Sequence, residues 1–369
     1  MRIMSRQRRT ALASLVGLAI LTAGSVAGAQ DTTAHGKPKG SKEAKPAGET
    51  KVPRLFRSES PLALTLTLNV KQIRRDKGTT PPWRSGTLSY TDSASKLVEV
   101  PLRARTRGIW RLKQCVFPPL RLNFSGKETK HTLFDDLYKP KLVNHCKDTD
   151  QYEQYILQEL QLYRVYQLLT PVSHRVRLAK LAYVDSASKK REAERYAILI
   201  EDPDMLATRL SAKRLETKGA EPADFEAPQL ALAYLFEYFI GNLDFSFNGL
   251  HNTELLLTEN GLVLPVAYDF DFSGAVNTSY ATPPPAFPVR SVRQRLFMGP
   301  CAVKDEYPAA LARFMEKKEA IYALYHDDIG KLMDPKAVRE TLGYFDEFYD
   351  ELKTPQSARG LFDHCIRPR

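Results

Sequence analysis

The stretch GNLDFSFNGLHNTELLLTENGLVLPVAYDFDFSG, residues 241–274, decides how this chain reads. Two strand-like runs, Thr253 to Leu257 and Leu262 to Ala267, flank Asn260-Gly261, a dipeptide that signals a two-residue type I′ hairpin turn. Counted outward from that turn, Asn252 lies eight residues before Asn260 and Asp269 lies eight after Gly261. An uninterrupted hairpin therefore sets them opposite each other at its open end, with Cβ atoms about 5 Å apart. An amide oxygen and a carboxylate so placed can share one hard cation such as Mg²⁺. Asp244 stands in the loop just ahead, and Asp271 just beyond. Taken one at a time, Asn252 suits a turn cap, and Asp269 and Asp271 suit turn or calcium-binding acids. The ordered set of helix, loop Asp, Asn, hairpin and Asp fits a site that places a base and two metal ligands for phosphoryl transfer.

On either side of this stretch the chain is helical. Residues 203–210, 226–240, 306–325 and 335–352 have helical spacing, and 226–240 is apolar nearly all round, as a buried helix is. Further upstream the period changes to two. Alternation predicts strands over 61–70, 85–91, 96–105, 120–124, 141–145, 174–184 and 195–200. A single long helix, 150–169, interrupts them, with Tyr152, Tyr155, Ile156, Tyr163 and Tyr166 on one face. Glu159 falls at the centre of that stripe. A carboxylate on a buried face needs a partner, either tyrosine hydroxyls or a cation. Lys141, in the strand before the helix, is the nearest candidate cation, with Lys139 and Arg121 as alternatives.

The N-terminus reads as an export signal. Arg2, Arg6, Arg8 and Arg9 precede an apolar run from Ala11 to about Ala23, and Ala27-Gly28-Ala29 offers small residues for cleavage before Gln30. Residues 30–52 are Lys, Ala, Gly, Pro, Thr and Glu with almost no apolar side chain, as in a tether. The net charge of +11 is concentrated here, for residues 1–52 contribute +6 of it. The remaining +5 forms no basic stripe, which argues against a nucleic-acid partner. After cleavage no membrane span is expected. In an oxidising compartment Cys115, Cys146, Cys301 and Cys365 imply two disulfides in one of three pairings. Cys115–Cys146 with Cys301–Cys365 closes the shortest loops. Zinc is the weaker alternative, because no C-x-x-C pair occurs.

Several motifs taken together resemble one family. RTRG (105–108), KLV (141–143), ILIED (198–202), GNLD (241–244), HN (251–252) and AYDFDFSG (267–274) are similar to the CotH-type atypical protein kinases associated with spore coats. The resemblance implies transfer of phosphate from ATP, with Mg²⁺ or Mn²⁺, to Ser or Thr of an exported protein. It implies Asp244 as the catalytic Asp, orienting and deprotonating the acceptor hydroxyl, Asn252 and Asp269 as metal ligands with Asp271 as a further one, and Lys141 on the phosphates. Glu159 becomes the helix partner of Lys141, and Glu201 lies at a hinge beside adenine. This chain departs from the kinase pattern in spacing Asn252 eight residues after Asp244 rather than five, which leaves Asn248 as the alternative. It also has no G-x-G-x-x-G or Walker A segment, and it places Asp-Phe-Asp where kinases have Asp-Phe-Gly. The fold then expected is α+β and two-lobed, protein-kinase-like. Residues 53–202 form a β-rich N-lobe with one central helix, and 203–369 form a helical C-lobe. A catalytically silent relative, binding a partner through the same cleft, is the alternative function.

Overall fold

The computed structural model describes residues 52–108, 110–137 and 139–367. The signal and nearly all of the tether thus lie outside the described residues. In chain order, β1 (Leu62–Leu68) leads into α1 (Val70–Arg75), β2 (Arg84–Thr91) and β3 (Leu97–Thr106). Then come α2 (Trp110–Gln114), β4 (Leu120–Phe124), β5 (Lys141–Asn144) and the long α3 (Asp150–Leu169). The chain continues through β6 (Val176–Asp185), β7 (Arg191–Ile200), α4 (Pro203–Arg209), β8 (Ala212–Leu215) and α5 (Ala227–Ile240). A hairpin of β9 (Thr253–Thr258) and β10 (Val263–Ala267) follows, then α6 (Tyr307–Ala323), α7 (Pro335–Glu351) and α8 (Pro355–Asp363).

The two-lobed, protein-kinase-like expectation is overturned. Strands β1 to β7 close into a barrel in the order β1-β2-β3-β4-β5-β7-β6, and β8, β9 and β10 form a separate three-stranded sheet. Closure depends on one parallel pairing, β1 on β6, which runs from Leu62↔Ala179 to Leu68↔Asp185. Local alternation gives strand positions but not partners more than a hundred residues away, so an open sheet and a barrel look alike in sequence. The expected strands themselves lie within a few residues of those observed, while β8, α1, α2 and α8 were not foreseen.

The barrel interior is filled from alternate positions, including Leu64, Leu66 and Leu68 of β1, Val100 and Leu102 of β3, Leu142 of β5, Leu181 of β6 and Leu199 of β7. On β5, β6 and β7 the opposite face is apolar too. Val143, Leu178, Ile198 and Ile200 pack outward against α3 and the helices of the second half. The end of β7, AILI over 197–200, therefore reads as a continuous apolar run, as a strand covered on both faces does. Helix α3 is buried on every side from Tyr155 to Tyr166, because it is sandwiched between β6, β7 and α6.

At the end of α5, Gly241 adopts φ 65°, where a side chain would collide with the Tyr344 hydroxyl. Its carbonyl accepts from Gly274 N–H at 3.0 Å, and Ile240 O accepts from Ala275 N–H at 2.9 Å. The loop that carries Asp244 is thereby tied to the segment that carries Asp269 and Asp271.

Both disulfides form, Cys115–Cys146 and Cys301–Cys365, and the described residues hold no free cysteine. They are compatible with an exported protein. Among the described residues no helix is long and apolar enough to cross a membrane. Thiol labelling of unfolded, unreduced protein is expected to find no reactive cysteine. Replacing either pair by serine is expected to lose about 2–4 kcal/mol of stability in urea titrations. The loop closed by Cys301–Cys365 spans 64 residues against 31 for Cys115–Cys146. Its loss is therefore expected to be the greater, by about 0.6 kcal/mol for a doubled loop. Four reactive thiols in the native chain would contradict both statements.

Candidate functional site

The hairpin that was expected to align Asn252 with Asp269 forms, but one residue out of register. Gly261, at φ 86°, closes a three-residue loop of Glu259, Asn260 and Gly261, with Gly261 N–H donating to Thr258 O at 3.1 Å. The ladder then runs from Leu257↔Val263 to Thr253↔Ala267. Past its open end Tyr268 N–H donates to Asn252 O at 3.1 Å, so Asn252 faces Tyr268 and not Asp269. A shift of one residue exchanges the two faces of a strand. Asn252 (φ 51°) and Asp269 (φ 68°) both leave the ladder in the left-handed region, which Asn and Asp tolerate better than other residues.

Their side chains consequently belong to different clusters. Asn252 Nδ2 donates to Asp244 O at 2.7 Å and to Asp244 Oδ2 at 3.0 Å, while His251 Nε2 lies 2.9 Å from Asp244 Oδ1. Asp244 N–H in turn donates to Asn242 Oδ1 at 3.0 Å, and Asn242 Nδ2 donates to Glu237 Oε2 at 2.9 Å. Glu237 is fully buried on α5, its Oε1 without a partner. Burial, with a smaller contribution from the Asp244 charge and against the Asn242 bond, pushes its carboxyl up to about 8.

Asp269, Asp271 and Glu159 form the second cluster, around Arg111 of α2. The guanidinium lies 2.7 Å from Asp269 Oδ1, 3.0 Å from Asp271 Oδ2 and 3.5 Å from Glu159 Oε2. Tyr280 Oη donates to Asp271 Oδ2 at 2.9 Å, and Tyr163 Oη accepts from Asp269 N–H at 2.9 Å. Burial raises Glu159 to about 8 and Asp271 to about 6 in spite of Arg111. Asp269 is held below its ordinary value against burial, by Arg111 first and then by Arg107 and Lys141. Glu159 Oε1 is buried without a partner. Among the described residues no three His, Cys, Asp or Glu side chains form a group that could hold a metal ion. The cation among these carboxylates is a guanidinium.

Lys141 does not pair with Glu159. Its Nζ lies 2.9 Å from Glu254 Oε1 and 3.5 Å above the Tyr268 ring, and Arg214 Nε holds the other Glu254 oxygen at 2.9 Å. Against burial, Lys141, then His174 and Arg214, bring Glu254 down to about 2. Glu201 is buried against Arg209 Nη2 at 2.9 Å, and it accepts from Arg175 N–H at 3.1 Å. It lines a cavity of about 520 Å³ with Arg175, Asp202, Met205 and Arg209.

A cleft of about 600 Å³ is lined by Lys77, Arg105, Arg107, Lys113, Arg121 and Lys141 with Gly78, Thr79, Thr80 and Gly108, and among its described lining residues there is no carboxylate. The Nε atoms of Arg107 and Arg121 are buried without hydrogen bonds. Arg107, Gly108 and Lys113 flank the segment that bears Arg111, so the cationic wall continues into the carboxylate cluster. Sequence reasoning missed Arg111 and Glu254. A lone arginine in a five-residue helix gives no periodic signal, but Glu254 was detectable as a charge inside the apolar strand TELLLT.

No family model, curated protein or solved structure matches this chain.

Glu237 gives a pH test of this network. It keeps its proton in the folded state up to about 8 and loses it near 4.5 when unfolded. Its contribution is therefore fully present below pH 4.5 and is lost as pH rises towards 8. Urea midpoints of wild type and Glu237→Gln are expected to diverge, with the variant gaining on the wild type between pH 5 and pH 8. Parallel profiles would remove Glu237 as the titrating group.

Proposed function

We propose that this protein is an exported, nucleotide-dependent phosphotransferase that passes the terminal phosphate of ATP to a Ser or Thr hydroxyl of another exported protein. The observation that carries the reading is the cleft, lined by six cationic side chains and no carboxylate; two of the six, Arg107 and Lys141, also act on Asp269 of the carboxylate cluster around Arg111. Such a wall suits a polyphosphate, whose charge is spread over several oxygens. Arg105, Arg107, Arg121 and Lys141 would hold the phosphates, and the cavity beside Glu201 adjoins the same strands and has room for a base. The similarity of the 105–108, 241–252 and 267–274 motifs to CotH-type kinases supports the same chemistry, though the barrel departs from the kinase fold.

The donor set fits Mg²⁺ or Mn²⁺ in one respect. Even with Arg111 in place the cluster is short of positive charge, as the partnerless Glu159 Oε1 and the raised Asp271 testify. Asp269 and Asp271 would hold the ion, with phosphate oxygens completing its shell. When bound, it would neutralise charge on the transferring phosphate. Asp244, fixed by Asn252 and His251, orients the acceptor hydroxyl. Asn252 is committed to Asp244, so its role in this reading is to position that residue.

Arg111 favours a second reading. A guanidinium that fills the carboxylate cluster suits a catalytically silent envelope protein that binds a partner through the cleft.

Two measurements separate the readings. ATP with Mn²⁺ is expected to raise the melting temperature of the wild type, and Asp269→Ala is expected to abolish that shift while leaving the fold intact. Asp244→Asn is expected to keep the shift but lower phosphate transfer from labelled ATP by about 10²–10⁴-fold. A wild type without a nucleotide-induced shift gives way to the binding-protein reading. The same cluster predicts that Arg111→Gln loses about 3–5 kcal/mol, because it leaves buried carboxylates unpaired. Mn²⁺ alone is expected to restore part of that loss in urea titrations of the variant. No recovery would deny the cluster an affinity for metal.

A further inference from the structure

We infer that His251 is the proton acceptor of this site and that Asp244 holds it in place, an inference that rests on the phosphotransferase reading above. Both Asp244 oxygens are already engaged, Oδ1 with His251 Nε2 at 2.9 Å and Oδ2 with Asn252 Nδ2 at 3.0 Å. A carboxylate only accepts, so the hydrogen of that contact sits on Nε2, and the neutral ring presents a bare lone pair at Nδ1. Among the described residues His251 makes no second side-chain hydrogen bond, and its side chain is 53% exposed. The most accessible base beside Asp244 is therefore the imidazole.

The backbone is arranged to keep it there. Ser246 and His251 exchange both backbone hydrogen bonds, at 2.9 and 3.1 Å, and Ser246 Oγ accepts from Gly249 N–H at 3.0 Å inside the loop they close. The residues on either side of His251, Leu250 at φ 54° and Asn252 at φ 51°, are both left-handed. Strained non-glycine positions persist where the surrounding structure over-determines them, and they gather at functional sites. The charged group facing His251 within ion-pair reach is Asp244, with Glu237 behind it through Asn242.

In the reaction, the acceptor oxygen forms a bond to the γ-phosphorus as the bond from that phosphorus to the β,γ-bridging oxygen breaks. The nucleoside diphosphate leaves with that electron pair. The hydroxyl proton moves to His251 Nδ1, and the imidazolium, paired with Asp244, returns it to solvent. This explains the eight-residue spacing from Asp244 to Asn252, since the added residues carry the base.

The experiment is transfer from labelled ATP with Mn²⁺ to a Ser/Thr peptide library, with the ATP-induced thermal shift measured alongside. His251→Gln is expected to lose about 10²–10⁴-fold in rate with its thermal shift unchanged. His251→Gly is expected to recover transfer when free imidazole is added. A His251→Gln protein that keeps its rate overturns the inference and leaves the phosphotransferase reading standing. A His251→Gly protein that binds ATP but is not rescued reduces the histidine to positioning. A wild type that transfers no phosphate overturns the inference and the reading together.

Discussion

The contact on which the site depends is the guanidinium of Arg111 among Asp269, Asp271 and Glu159. It joins three parts of the chain that share no strand pairing, namely the short helix after the barrel's third strand, the long buried helix and the segment after the hairpin. Three carboxylates brought this close and this deep would repel one another by several kcal/mol without a cation. The desolvation of the arginine and of its partners nonetheless offsets much of the gain, so such a cluster is weak evidence for stability. What it provides is placement. The short helix is held from both ends of its neighbourhood, by Arg111 on the carboxylates and by Cys115 on Cys146. The cationic wall of the cleft starts from that fixed point.

The sequence made the elements legible and concealed how they close. Alternation at 61–70 and 174–184 marks two strands, but nothing in either marks them as parallel neighbours, and that single pairing turns an open sheet into a barrel. Covering helices also blur the signal. Strand β5 and the end of β7 are buried on both faces, and α3 on all sides from Tyr155 to Tyr166, so the apolar pattern overflows the one-sided stripe from which the centre of the helix was read. Glu159 was rightly singled out as a buried carboxylate in need of a cation. The cation was misidentified because Lys141 is close in sequence, whereas Arg111 reaches the helix only through the tertiary fold.

The hairpin shows how narrow a geometric argument from sequence can be. Asn260-Gly261 lies in the turn, as read, but Gly261 supplies the left-handed position of a three-residue loop rather than the second half of a two-residue one. One residue of register then moves Asp269 out of line with Asn252 and puts Tyr268 there. Tyr268 is put to use, for its ring lies under Lys141, which turns to Glu254 and leaves Glu159 to Arg111. The residues chosen from sequence are sorted otherwise than expected: Asp244 and Asn252 share one cluster, Asp269, Asp271 and Glu159 another, and Lys141 and Glu201 pair elsewhere.

That sorting gives the two halves of the site different electrostatic characters. Around Arg111 the carboxylates are deep, mutually close and short of positive charge, a setting that favours a cation or the phosphates that accompany one. Around Asp244 the order runs outward from a buried carboxyl on α5 through the Asn242 side chain and Asp244 to a half-exposed imidazole. Glu237 keeps its proton because it is buried, and the Asn242 side chain bridges it to the Asp244 backbone. If both were charged, their repulsion would fall on Asn242, whose amide bridges them, and the loop that presents His251 would lose its anchor. The inner carboxyl thus acts as a neutral strut, and the outer one is free to hold a cationic or proton-accepting ring.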